Sequence, residues 1–327
     1  MGRARSVEGS SPPPAAGVRL LWADVPGRVR RAFEARLGER ITEATSSPGG
    51  FSPGVAARLR TSGARRIFVK AAGPEPNPDT PVLHRREAEI VGALPPGVPV
   101  PRLLLSHDEG EGGWVVLAFE DVDGRNPVEP WRPVELDRAL GALAALAGLL
   151  TPSPLPPASV GGAGEWPVVD GGHWRKLAEE RPARLGGWSL RHLDRLAELE
   201  AAAPEAVAGD TLLHLDVRAD NLILTPDRAV LVDWPHARVG APWMDVAFFA
   251  PSVAMQGGPP PEELLPRYPP ARHADADAVT AAVAAIAGFF VREGLQPAPP
   301  GLPTLRPFQA AQGEAARTWL ARRSGWR

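Results

Sequence analysis

Cysteine is absent from the 327 residues. Disulfides, thiolate zinc sites and cysteine nucleophiles are excluded, and the redox compartment stays open. Strong charge of either sign is missing too. The formal net charge is -2, which gives no global drive toward nucleic acid or anionic membrane. The longest apolar runs, near Leu140–Leu150 and Val279–Val291, are too short to span a bilayer. Residues 1–16 lack the apolar core of a signal peptide and read as a disordered tail. A soluble, cytoplasmic protein is the expectation. Lysine and asparagine are scarce. Of 36 Lys plus Arg, only Lys70 and Lys176 are lysine, and the only asparagines are Asn77, Asn126 and Asn221. Arginine serves almost everywhere else, so a lysine or asparagine marks a position that wants a compact ammonium or an amide.

One of those asparagines lies in the most informative stretch, His214 to Asp245. Asp216 and Asn221 have the spacing D-x4-N. Two short apolar runs, Leu222–Leu224 and Ala229–Val232, flank the turn residues Thr225-Pro226-Asp227-Arg228 and predict a β-hairpin. A hairpin brings its ends together, so Asn221 and Asp233 should lie close, with Asp216 on the loop before them. Carboxylate and amide oxygens are hard ligands that suit Mg²⁺. A carboxylate left off the metal can take a proton from a hydroxyl. Catalytic loops of protein kinases divide labour in this way.

Upstream, an amphipathic helix is expected at Val25–Leu37 and a strand at Ile41–Thr45. The turn Ser46–Gly54 follows, and then the strand Val55–Arg60. Such a turn can lay backbone N–H groups over phosphates, and Ser52 adds a hydroxyl. Lys70 ends the next β-branched run. A helix at Val82–Leu94 carries Glu87 and Glu89, either of which is a candidate partner for Lys70. Strands at Arg102–His107 and Gly113–Glu120 close this half, and backbone groups near Glu120 to Val122 are placed to meet a nucleotide base. Helical patterns dominate afterwards: Val134–Leu150, Leu190–Ala202, the segment opened by Asp245, Asp275–Arg292 and Pro307–Arg323. Trp166, His173, Trp174 and Trp188 are expected in the core rather than on a stacking platform.

Taken together, H-x-D-x4-N, then hydrophobic-D-W, then G-x-P-x-x-D resembles the aminoglycoside phosphotransferase and choline-kinase-like family. The resemblance covers about residues 40 to 255. It implies an α+β, two-lobed, protein-kinase-like fold. A small antiparallel-sheet N-lobe (17–122) would bind nucleotide. A mainly helical C-lobe (123–327) would carry the catalytic loop and the acceptor site. By this resemblance Asp216 is the catalytic base or orienting group, and Asn221 and Asp233 are the metal ligands. Lys70 takes the α/β-phosphates with Glu87 as its partner, Gly50 and Ser52 lie in the phosphate loop, and Glu120 and Val122 form the adenine hinge. His214 and Asp245 brace the loop. The cofactors implied are ATP, with GTP as an alternative, and Mg²⁺. The implied partner is a small-molecule hydroxyl substrate, with no nucleic acid and no membrane. One departure is Val217-Arg218-Ala219-Asp220, where the family more often has His-Pro-Gly. Arg218 and Asp220 are expected to tune the acceptor pocket. Asp123, Glu262, Glu263, Asp275 and Asp277 are candidates for an acidic acceptor site. Arg317, Arg322, Arg323 and Arg327 argue instead for a neutral or anionic acceptor if the last helix lines that site. A primary-metabolite kinase and a non-catalytic nucleotide binder are the other readings.

Overall fold

The computed structural model describes residues 13–327. Of the expected tail, residues 1–12 lie outside the described residues. Ala15 and Ala16 are bonded into the molecule, contrary to the expected boundary: the Gly50 N–H donates to Ala15 O at 3.0 Å, and Ala16 bridges Gly50.

The first half comprises α1 (Gly27–Leu37), β1 (Ile41–Ser46), β2 (Val55–Thr61), β3 (Arg66–Ala72), α2 (Asp79–Ala93), β4 (Leu103–Asp108) and β5 (Val115–Glu120). The five strands form one antiparallel sheet in the order β1-β2-β3-β5-β4. β5 reads V-V-L-A-F-E and is buried on both faces up to its last residue, as a continuous apolar run requires. β1 reads I-T-E-A-T-S, is largely exposed and forms an edge. Alternation along each strand sorts side chains between two faces. Leu59, Ile67, Val69 and Val116 pack under α1 through Val29 and Phe33. Leu117 and Phe119 face α2 through Ile90 and Val91, in one core with the helical half. Lys70 alternates with Val69 and so falls on this second face.

α2 begins earlier than its apolar pattern suggests, because Asn77 Oδ1 accepts the Asp79 N–H at 2.9 Å and starts the turn. The strand holding Lys70 likewise runs on to Ala72, since Ala71 and Ala72 keep pairing with Val116 and Val115.

The second half comprises α3 (Pro133–Leu149), α4 (Pro157–Val160), α5 (His173–Glu180), α6 (Gly187–Ala201) and α7 (Ala203–Ala206). After these come β6 (Thr211–Leu213), β7 (Leu222–Leu224), β8 (Ala229–Leu231) and β9 (Arg238–Gly240). The chain ends with α8 (Met244–Met255), α9 (Pro261–Arg267), α10 (Ala276–Glu293) and α11 (Leu305–Ser324). β7 and β8 are the expected hairpin, with Leu222 opposite Leu231. α10 is rich in alanine and buried on most sides, as suits a central helix. α11 lies so close to it that a Cβ on Gly313 would sit 2.9 Å from Val291 N. Trp166, His173 and Trp174 are core residues, whereas Trp188 is half-buried and stacks on Trp326. Among the described residues, no helix is long and apolar enough to cross a membrane.

Candidate active site

A cleft of about 440 Å³ opens between the sheet and the β7–β8 hairpin. Gly50, Ser52, Lys70, Glu87, Glu120, Val122, Asn221 and Asp233 all line it. Asp216 sits beside it, in contact with Asn221, and His214 and Asp245 lie buried behind.

The back wall is an ion cluster. Lys70 Nζ donates to both Glu87 oxygens at 2.7 and 2.8 Å and to Asp233 Oδ1 at 2.8 Å. Of the two glutamates left open by the sequence, Glu87 is the inward one. It shares a helix face with His84 and Val91, at i-3 and i+4, and all three are buried. Burial opposes the charge on Lys70, but Asp233 and Glu87 outweigh it and hold its pKa above the ordinary value. Burial also works against the Asp233 carboxylate, yet the Lys70 ammonium keeps that group below the usual carboxylate range.

The floor is the loop from His214 to Asn221. Asn221 Nδ2 donates to Asp216 O at 2.8 Å and to Asp216 Oδ2 at 3.0 Å. The ring of His214 donates from Nε2 to Val232 O at 3.0 Å and accepts the Asp216 N–H on Nδ1 at 3.1 Å. Burial lowers its pKa to about 4, so the ring is neutral, as that pair of bonds requires. Leu215 has φ 58, a left-handed conformation that costs a side-chain-bearing residue about 1–2 kcal/mol. Asp245 holds it there by accepting the His214 and Leu215 N–H groups at 3.2 and 2.8 Å.

Arg218 and Asp220 do not simply face an acceptor. Arg218 donates to Asp220 through Nε and Nη2 at 3.0 and 3.1 Å, and to Asp216 through Nη1. Burial opposes the Arg218 charge, but Asp216 and Asp220 hold its pKa above the ordinary value. Burial pushes the Asp216 carboxyl up to about 7. Arg218 pulls it back, while Asp233 and Asp220 add to the rise.

The roof is the Ser46–Gly54 turn. Gly54 has φ 129, and a Cβ there would lie 2.5 Å from Ala71 O, so only glycine fits. The N–H groups of Gly50 and Gly54 are already taken by Ala15 O and Val18 O, at 3.0 and 3.1 Å. At the end of β5 the Glu120 N–H donates to Arg102 O at 2.9 Å. The Val122 backbone makes no hydrogen bond among the described residues.

The donor set suits a divalent cation shared with phosphate oxygens. Asn221 turns its amide NH₂ to Asp216, which leaves Oδ1 without a partner among the described residues, and Asp233 keeps Oδ2. Among the described residues, no three His, Asp or Glu side chains are grouped to hold a metal. Mg²⁺ needs no such cage where a substrate supplies phosphate oxygens.

The model of the phosphotransferase enzyme family matches residues 47–316. The chain belongs to that family. No curated protein matches it. Among solved structures, the phosphotransferase is similar to a thermostable mutant of aminoglycoside phosphotransferase APH(4)-Ia in ternary complex with AMP-PNP and hygromycin B. That likeness has TM-score 0.60 and 15% identity, and covers 92% of this chain and 100% of that one. The macrolide 2'-phosphotransferase type I gives 0.55 and 17%, covering 90% and 98%. An aminoglycoside phosphotransferase from Alicyclobacillus acidocaldarius gives 0.52 and 17%, covering 87% and 92%. At these identities the likeness shows a shared kinase-like fold.

Two residues that brace the site carry no clear mark in the sequence. Asn126 Nδ2 donates to the Ala219, Asp220 and Leu222 carbonyls at 3.3, 3.1 and 2.8 Å and ties down the His214–Asn221 loop. The scarcity of asparagine was the available signal. Arg86 donates to Pro235 O and Ala237 O, at 2.6 and 2.9 Å, and to Val160 O, joining α2 to the segment after Asp233. Neither candidate acceptor set lines the cleft. Asp275 caps α10 and Glu262 pairs with Arg322. Arg317 pairs with Glu314, and Arg323 bonds Thr280 and Ala276. It is the beginning of α11 that approaches the loop, where Phe308 meets Phe51 edge-on and lies 5.9 Å from the Arg218 guanidinium.

Proposed function

We propose that this phosphotransferase moves the γ-phosphate of ATP to a hydroxyl of a small molecule in the cytoplasm, with Asp216 orienting the hydroxyl or taking its proton. GTP is the alternative donor. Residues 17–122 act as the nucleotide-binding lobe and 123–327 as the lobe for catalysis and acceptor. One observation carries the reading: two bonded pairs, Lys70–Asp233 on the back wall and Asn221–Asp216 on the floor, adjoin the same cleft. Lys70 bonds Asp233 at 2.8 Å and Asn221 bonds Asp216 at 3.0 Å.

Asn221 and Asp233 would hold Mg²⁺, which supplies charge neutralisation at the phosphates. Lys70 is aimed at the phosphate tail by Glu87. Val122 offers a free N–H and C=O to the base. Asp216, with its pKa lifted to about 7, is suited to share a proton with a hydroxyl near neutrality. Catalysis of this type rests on positioning and electrostatics more than on covalent work. An antibiotic of the aminoglycoside type, or a related metabolite, is the acceptor class we favour. Neighbours of the same fold have been crystallised with hygromycin B and with spectinomycin, which supports that class.

The test compares wild type with Asp216→Asn for Mg²⁺-dependent transfer to a panel of hydroxyl compounds. Wild type should phosphorylate at least one compound. The variant should lose about 10²–10⁴-fold in turnover while still binding nucleotide. Absence of nucleotide binding in wild type would overturn the reading.

A further inference from the structure

The roof of the cleft contains a residue that precedes the first matched family position. Residues 15–20 run as a strap along the Ser46–Gly54 turn. Gly17 N donates to Gly50 O at 2.9 Å and Leu20 N to Gly54 O at 3.0 Å, and Gly50 N and Gly54 N donate back to Ala15 O and Val18 O. The strap is tied at its other edge as well. Val18 N donates to Gly301 O at 2.8 Å, and Thr304 Oγ1 donates to Ala16 O at 2.8 Å.

This pairing has a chemical cost for a phosphate-binding turn. Two backbone N–H groups that would meet an anion are already satisfied by the strap. Yet the strap also brings a guanidinium. Arg19 lines the cleft and donates to Gly49 O and Ser52 O on the same turn. Its Nε is buried with no hydrogen-bond partner among the described residues. Lys70 faces two carboxylates at bonding distance, whereas the direct partners of Arg19 are neutral carbonyls.

We propose that Arg19 is a ligand of the nucleotide's phosphate tail, delivered by the strap in place of the N–H groups that the strap consumes. Anionic phosphate oxygens are stronger acceptors than carbonyls, and a guanidinium binds them with two parallel bonds. Burial lowers the Arg19 pKa against the more distant pull of Asp233 and Asp220, so the cation gains from an anion arriving beside it. The inference rests on the nucleotide-dependent reading above.

The experiment measures binding of ADP and of adenosine to the full chain, in wild type, Arg19→Gln and Arg19→Lys. The readout is the ratio of the two affinities, because adenosine has no phosphate and reports the base site alone. Arg19→Gln should lower ADP affinity about tenfold or more and leave adenosine within about twofold. Arg19→Lys keeps the charge but loses the fork, and its ratio should fall between the other two. This second variant carries the test if Arg19→Gln does not fold. An unchanged ratio overturns the inference. Equal losses for both ligands also overturn it, since they mark a strap that only supports the fold. Wild type that binds neither ligand overturns the nucleotide reading and this inference together. Wild type that binds both, with an unchanged variant ratio, overturns this inference alone.

Discussion

The floor and the roof of the cleft are held by different means. On the floor, the groups that hold Asp216 lie within His214–Asp245 and are buried: Asn221 on Asp216, His214 on Val232, Asp245 on two consecutive N–H groups, with Asn126 adding three bonds from outside. The roof has no such local network. Its glycines are paired by a strap from residues 15–20, and that strap is fastened to Gly301 and Thr304 near the other end of the chain. Short-range buried bonds make a site that forms whenever its segment folds. Long-range bonds at half-exposed positions make a roof that can loosen without unfolding the rest.

The largest test of this contrast is Asp245→Ala. It orphans two buried N–H groups, at about 1–3 kcal/mol each, beneath a left-handed Leu215. Stability should fall by about 3 kcal/mol, read from urea unfolding; a loss well under 1 kcal/mol would break the comparison.

A smaller effect concerns charge. Glu200 repeats the Asp245 device away from the cleft, accepting the His173 and Trp174 N–H groups at 2.8 Å each. Burial pushes Glu200 up to about 7 and Asp245 up to about 6. A carboxyl whose folded pKa is raised binds its proton more tightly when folded, so its contribution to stability declines as pH rises from the unfolded pKa through the folded one. Glu200→Gln has no such slope. Its stability deficit relative to wild type should therefore shrink between pH 5 and pH 8, measured by urea midpoints at each pH. A deficit that widens would show that the two N–H bonds outweigh burial and that these forks are ionised.

The smallest effect belongs to the roof. Thr304→Val removes the hydroxyl that donates to Ala16 O and accepts the Ala16 N–H. Global stability should drop by no more than about 1 kcal/mol, while amide exchange at Gly50 and Gly54 accelerates. Unaltered exchange at those two amides would mean that the strap is held by something else.

The same contrast explains what could be read in advance. The D-x4-N spacing and the hairpin lie within one stretch, so residue order alone brings Asp216, Asn221 and Asp233 together. Lys70 was marked by composition. Glu87 was open from the residues alone because both glutamates sit on a solvated-looking helix; only the packing of His84 and Val91 beside Glu87 distinguishes its face. Arg19 had no local signal, since its place depends on pairing between chain segments far apart in sequence. The arginines of the last helix could not be placed in advance for the same reason. Their number was visible, but their partners on Glu262, Glu314 and Thr280 were not.

Arg86 has a further consequence. Its guanidinium binds three carbonyls, Pro235, Ala237 and Val160, and thereby joins α2 to the helical half. The neighbouring Glu87 reaches back to Lys70 in the sheet. In entropic terms, the alignment of the lysine with Asp233 is settled once, when the chain folds, rather than anew each time a ligand enters. A cleft preorganised in this way loses little freedom on binding, so more of each contact's energy remains for discriminating among ligands.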